Sequence, residues 1–81
     1  MSGGRKVGTP RTVPARLLSI LAAFEPGPKQ LSLTEISVHT GIAISTTHRL
    51  VTELTKWGAL ERETDRRYRI GPRISTLARQ G

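Results

Sequence analysis

The chain has 81 residues and no cysteine, so it can form at most one small domain, and both disulfides and thiolate zinc sites are excluded. Its 13 Lys and Arg residues against 6 Asp and Glu residues give a formal net charge of +7, which favours a polyanionic partner such as nucleic acid or an anionic membrane. No apolar stretch approaches the roughly 20 residues of a membrane span, and the N-terminus lacks the apolar core of a secretory signal, so we expect a soluble cytoplasmic protein without a membrane partner.

The positive charge lies at the two ends of the chain. Residues 1–16 carry +4 without any acidic residue, residues 17–58 are neutral overall, and residues 59–81 carry +3. We therefore expect the flanks, rather than the middle, to attract a polyanion.

The first segment, MSGGRKVGTPR, is basic, rich in Gly and without apolar periodicity. We interpret residues 1–11 as a disordered arm. Its Arg5, Lys6 and Arg11 are candidates for DNA contact, in the minor groove, although the arm could equally be a plain flexible leader.

A first helix is predicted after this arm. Thr12 is a possible N-cap and Pro14 falls in the first turn, where proline is tolerated. The segment EPGPKQ, with its prolines and glycine, ends the helix in a loop. The residues spaced for one buried face of the helix are Leu17, Leu18, Leu21 and either Phe24 or Ala22.

A second helix is predicted at residues 33–40. Ser32 followed three residues later by Glu35 is a capping box, so Glu35 is interpreted as a cap and not as a catalyst. Leu33, Ile36 and Thr40 follow at helical spacing, and Gly41 stands where a left-handed C-cap residue belongs.

A third helix is predicted at residues 44–57, ending at Gly58. Its residues Thr47, Leu50, Val51, Leu54 and Trp57 are expected to be core.

Beyond it, ALERE and RRYRI flank the short connection TD and predict a two-stranded hairpin. Gly71 and Pro72 end the hairpin and begin a last helix, whose apolar face holds Ile74, Leu77 and Ala78. This face could pair with a second copy of the chain.

The junction of the second and third helices meets the requirements of a helix-turn-helix, which are a tight turn, a small residue where the helices cross, and apolar residues that fix their angle. Gly41 supplies the turn and Ser37 the small residue. The residues that would fix the angle are Ile36, Ile42, Thr47 and Leu50.

In a helix that enters the major groove, the first turn approaches phosphates and base edges, so short hydroxyl side chains suit it better than bulky ones. Ser45 and Thr46 have this character, and Arg49 follows one turn later, within reach of a phosphate or a guanine edge. Backbone amides at the start of the helix add a positive end for phosphate. The helix propensity lost is a few tenths of a kcal/mol per β-branched residue.

The run from LSLTEISVHTG through ISTTHRL to RRYRIGPR resembles the N-terminal winged helix-turn-helix domain of IclR-type bacterial transcription regulators, from about residue 14 to the end. The resemblance implies a mainly α fold with a hairpin wing over residues 12–71 and the start of a linker helix over residues 72–81. The side chains it implies for DNA contact by the third helix are Ser45, Thr46, His48 and Arg49, and we add Ile44 and Thr52 of the same helix as candidate contacts. Those it implies for the wing are Arg66, Arg67 and Arg69, which could instead form a solvated hairpin face.

Two positions depart from the family pattern. Ile44 stands where members often have a polar or basic residue, so it could contact a thymine methyl group or be buried against the second helix. The wing tip also lacks the glycine that is common there.

The residues do not suggest an enzyme, since no nucleophile set, phosphate-binding glycine loop or carboxylate pair is recognisable. His39 and His48 alone make a poor metal site, and no cofactor is expected. A winged helix could also bind protein or RNA, although RNA readers usually expose stacking aromatics, and of Phe24, Trp57 and Tyr68 we expect the first two to be buried.

The family resemblance further implies a homodimer or larger assembly on paired half-sites of an operator. It also implies a small-molecule effector that binds a larger domain not contained in this chain.

Overall fold

The computed structural model describes residues 10–25 and 29–80, which form a helical domain with a small antiparallel sheet. The helices are α1 (Val13–Ala22), α2 (Leu33–Thr40), α3 (Ile44–Trp57) and α4 (Pro72–Gln80), and the strands are β1 (Leu31–Ser32), β2 (Leu60–Arg62) and β3 (Arg67–Ile70). The predicted fold class is confirmed. None of these described helices is long and apolar enough to cross a bilayer.

The sheet has one strand more than the predicted hairpin. Its order is β1-β3-β2, with Leu31 opposite Tyr68 and Leu60 opposite Ile70. The extra strand, β1, is two residues long, too short for a period-2 pattern to reveal it. Because β1 leads directly into α2, it joins the wing to the helix-turn-helix.

The predicted caps are present at three helix ends. The Thr12 hydroxyl accepts the amide of Ala15 at 3.2 Å. The capping box of α2 is complete, with the Ser32 amide donating to Glu35 at 2.8 Å and the Glu35 amide donating to the Ser32 hydroxyl at 3.1 Å. Gly41 ends α2 in the left-handed region, at φ 76°.

The core lies between the three N-terminal helices and the inner face of the sheet. Its buried apolar residues are Ile20, Phe24, Leu31, Ile36, Ile42, Leu50, Val51 and Leu60. Leu18 was predicted to be buried but is 67% exposed, because Ile20 and Phe24 take the innermost positions of this segment. The apolar face of α4 is also largely uncovered, with Leu77 and Ala78 exposed and Ile74 half-buried.

Trp57 was predicted to be core, and this is wrong. It is the last residue of α3, and 47% of it is exposed. The guanidinium of Arg73, at the start of α4, lies 4.2 Å from the centre of the indole ring, and Arg73 Nη1 donates to the Trp57 carbonyl at 3.3 Å. A side chain at Gly71 would collide with the carbonyl oxygen of Gly58, so α3 and α4 meet at a close-packed junction.

The carbonyl of Ile42 holds the helix-turn-helix together. Ser37 of α2 donates its hydroxyl to this oxygen at 2.6 Å, and the Thr47 hydroxyl of α3 lies 3.2 Å from it and 3.0 Å from the Ala43 carbonyl. Thr47 is fully buried and Ile42 is 3% exposed. One buried acceptor therefore joins both helices, and the residues predicted to fix their angle are all buried.

The wing turn uses a non-glycine residue in a glycine-like conformation. Arg66 has φ 69°, its amide donates to the Glu63 carbonyl at 3.1 Å, and Asp65 accepts the amide of Arg67 at 3.1 Å. A turn followed by a left-handed residue is a common hairpin geometry. The missing glycine is thus replaced by a strained arginine, and the connection, at residues 63–66, is longer than the two residues predicted.

We expect Ser37→Ala and Thr47→Val each to lower the free energy of unfolding by about 0.5 to 1 kcal/mol. The double variant should lose more than the two single losses together, since the Ile42 carbonyl then has neither hydroxyl donor, and an unpaired buried acceptor costs about 1 to 3 kcal/mol. Urea denaturation, monitored by circular dichroism, measures the free energy of unfolding of the wild type, the two single variants and the double variant. Thr55→Val is the matched control, because the Thr55 hydroxyl bonds only within α3, to Val51 at 2.8 Å. Strictly additive losses would contradict this account of the turn.

Arg66→Gly should raise the free energy of unfolding by about 1 kcal/mol, because glycine adopts positive φ without the steric cost that a Cβ incurs. The control is Arg67→Gly, which removes the same charge from within β3 and should destabilise the chain by about 0.5 to 1 kcal/mol. Equal effects of the two substitutions would show that the conformation of Arg66 does not matter.

The Glu35 carboxyl should make stability depend on acidity. Its pKa is held below the usual 4.5, chiefly because the carboxylate accepts the Ser32 amide. A lowered folded-state pKa means that this stabilisation is fully present above pH 4.5 and is lost as the pH falls through the lower folded value. In Glu35→Gln, which keeps an acceptor but does not titrate, the melting temperature should fall less between pH 5 and pH 3, as measured by thermal denaturation at both pH values. An unchanged pH profile would contradict the assignment.

Candidate nucleic-acid interface

Helix α3 presents one polar side to solvent because its opposite side anchors it to the core. Thr47, Leu50 and Val51 are its buried residues. Among the side chains predicted to contact DNA, Ile44, Ser45, His48 and Arg49 are exposed, while Thr46 and Thr52 are half-buried. The Thr52 hydroxyl donates to the His48 carbonyl at 2.8 Å, which leaves only its acceptor lone pairs free.

The first turn of α3 has no side-chain cap. Ala43 occupies the N-cap position and forms no capping hydrogen bond, whereas Thr12 and Ser32 cap α1 and α2. The first amides of a helix have no partner within it. Those at the start of α3 are therefore available to an acceptor such as a phosphate oxygen.

A concave cleft of about 640 Å³ lies between α3 and the wing. The residues lining it are Ser32, Leu33, Thr34, His48, Thr52, Thr55, Lys56, Arg62, Arg66 and Tyr68. None of these lining residues is acidic, and three of them carry a positive charge. The cleft is thus open and cationic, as a groove for a phosphate backbone must be.

Sequence reasoning did not select Lys56 and Arg62 for this surface. Arg62 lies opposite Tyr68 in the sheet, and paired residues share a face. Lys56 follows Thr52 by one helical turn, on the side of α3 that faces the wing. Strand alternation could have identified Arg62, but only once the register of the hairpin was known.

The wing arginines do not lie on one face of the sheet. Arg66 lines the cleft, whereas Arg67 and Arg69 lie on the other face of the sheet, beside Lys29 and Gln30. The Arg69 guanidinium is paired with Glu63 and, at 2.7 Å, with Glu61. Its charge is therefore largely compensated before any partner approaches.

Of the arm residues, Arg11 is exposed, and Arg5 and Lys6 lie outside the described residues. His39 and His48 are both exposed. Within residues 10–25 and 29–80 no three His, Asp or Glu side chains are grouped as ligands of one metal ion.

Comparison with known proteins identifies the architecture. The model of the IclR helix-turn-helix domain matches residues 13–64. No curated protein matches the sequence. The family is one of transcription regulators and is not a class of enzymes.

Solved structures with the same fold come from longer proteins. An IclR homologue from Microbacterium sp. superimposes with a TM-score of 0.80 at 31% identity, over 88% of this chain and 30% of that one. An IclR homologue from Microbacterium hydrocarbonoxydans, complexed with 4-hydroxybenzoate, gives 0.77 at 30% identity, over 82% and 28%. The Agobacterium tumefaciens repressor BlcR gives 0.72 at 30% identity, over 85% and 29%. This chain thus spans less than a third of the length of each.

The family model covers α1, β1, α2, α3 and β2, and the structural matches cover most of the chain. The chain belongs to the IclR helix-turn-helix family of DNA-binding transcription regulators.

Proposed function

We propose that the chain binds double-stranded DNA in a sequence-specific manner, with α3 in the major groove and the wing on the phosphate backbone. The observation that carries this proposal is the cationic cleft without acidic lining residues beside the exposed face of α3. A helix held beside a phosphate-binding surface is the usual arrangement of a winged helix-turn-helix reader.

Base recognition is assigned to the first two turns of α3. Ser45 and Arg49 are exposed there, and an arginine can donate to both acceptors of a guanine edge. Thr46, His48 and Thr52 flank these two residues and are proposed as secondary contacts. The uncapped amides at the start of α3 would hold a phosphate at the rim of the groove.

Phosphate binding is assigned to the cleft residues Lys56, Arg62 and Arg66. Lys56 has a weak competitor in Glu53, 3.8 Å away, but both side chains are well exposed and such pairs contribute little. Arg69 is not assigned to phosphate binding because the carboxylates of Glu61 and Glu63 already pair with it. Arg67 and the arm, with Arg5, Lys6 and Arg11, remain proposed backbone contacts of lower rank.

An RNA partner is not favoured by the aromatic residues. Phe24 is buried, and one face of Trp57 is covered by Arg73. Tyr68 is half-buried in the cleft. Single-stranded RNA is usually read by exposed stacking platforms, and these three do not form one.

By analogy with its longer relatives, we propose that the functional regulator is cytoplasmic, acts as a homodimer or larger assembly on an operator with paired half-sites, and responds to a small-molecule effector through a further domain. Helix α4 would lead toward that domain. The BlcR relative is a repressor and the Microbacterium hydrocarbonoxydans relative was solved with 4-hydroxybenzoate.

Salt titrations of duplex binding test the assignment. Arg62→Ala and Arg66→Ala should each weaken binding to all sequences alike and reduce the slope of log affinity against log salt by about one. Arg49→Ala should instead reduce discrimination between the selected site and random duplex by about 1 to 3 kcal/mol. Arg69→Ala, which removes the same charge from the other face of the wing, is the matched control and should leave the slope nearly unchanged.

A loss of slope in Arg69→Ala equal to that in Arg62→Ala would overturn the assignment of the cleft. Absence of any salt-dependent duplex binding by the wild-type chain would overturn DNA binding itself and favour a protein-contact role.

A further inference from the structure

Ile44 is an exposed apolar residue at the N-terminus of α3, which is called the front of the helix below. It is the first residue of the helix and 48% of it is exposed, so the alternative that it is buried against α2 is wrong. An exposed aliphatic residue on its own is unremarkable. The residues around Ile44 indicate what it could contact.

The segment around Ile44 carries no charge. From Thr40 to Thr47 every side chain is apolar, hydroxyl-bearing or absent, and the first basic residues along α3 are His48 and Arg49. The positive side chains of the proposed interface stand farther along α3 and on the wing. The front of α3 therefore cannot neutralise a phosphate through its side chains and is suited to the edges of bases.

Ile44 lies on the same side of α3 as the residues that face the wing. His48 follows it by four positions, one helical turn farther along, and lines the cleft together with Thr52. A phosphate backbone held in the cleft would fix how far α3 enters the groove. The position of Ile44 against the bases would then be fixed as well.

In the major groove, thymine alone presents an apolar group, its 5-methyl. A β-branched side chain in a helix has essentially one χ1 rotamer, so Ile44 would lose little conformational freedom on packing against that methyl. We propose that Ile44 contacts the 5-methyl group of a thymine and thereby selects thymine at one position of each bound site. This inference rests on the proposed function, since it requires α3 to lie in the major groove.

The test begins with a duplex selected by the chain from random DNA. Each thymine of that duplex is then replaced in turn by deoxyuridine, which removes the methyl group and leaves the base pair unchanged. Wild-type affinity should fall about fourfold at one thymine per half-site, as expected when one buried methyl is lost. In Ile44→Ser this penalty should disappear, while the salt slope stays that of the wild type.

Leu18→Ser is the matched control, because Leu18 is 67% exposed but lies on α1 and does not line the cleft. In this variant the ratio of the affinities for the thymine and deoxyuridine duplexes should equal that of the wild type.

Two results would overturn the proposal while leaving DNA binding intact. One is a wild-type chain insensitive to deoxyuridine at every position, and the other is a penalty that persists in Ile44→Ser. Failure to select any duplex at all would overturn the proposed function, and this inference with it.

Discussion

The proposed interface depends on one carbonyl group in a tight turn. The Ile42 oxygen is approached by the hydroxyl of Ser37 from α2 and by that of Thr47 from α3. Because α3 has no side-chain cap of its own, this shared acceptor, with the packing of Leu50 and Val51 behind it, sets its direction. The direction of α3 in turn decides which of its side chains meet solvent. A turn of a few residues thus determines which surface of α3 is open to solvent.

The sheet places charged side chains that are neighbours in sequence on opposite faces. Alternation along β3 sends Tyr68 toward the cleft and Arg69 to the opposite face, where Glu61 and Glu63 compensate it. Arg62, opposite Tyr68, joins the cleft. A net charge of +7 would attract DNA from any direction. The cleft gathers Lys56, Arg62 and Arg66 beside α3, and we propose that this grouping gives the attraction an orientation.

The fold could be predicted from sequence wherever a signal is local. The capping box at Ser32 and Glu35, the glycine at the end of α2 and the bounds of α3 each follow from neighbouring residues, and all were confirmed. Apart from the burial of Leu18 and the length of the wing turn, the errors concern contacts distant in sequence. Strand β1 forms only because β3 is there to pair with it, and Trp57 packs against Arg73 of α4 instead of entering the core. The cleft combines α3 with β2, so its Arg62 could not be selected from either segment alone.

The junction of α3 and α4 has a practical consequence. Trp57 is the only tryptophan of the chain, and it lies between the end of α3 and the guanidinium of Arg73. The intrinsic fluorescence of the chain at indole wavelengths therefore originates at this single joint. A tilt of α4 that withdraws the guanidinium from the ring would therefore change the tryptophan emission. The contact between α3 and α4 can thus be followed by intrinsic fluorescence, without an added dye.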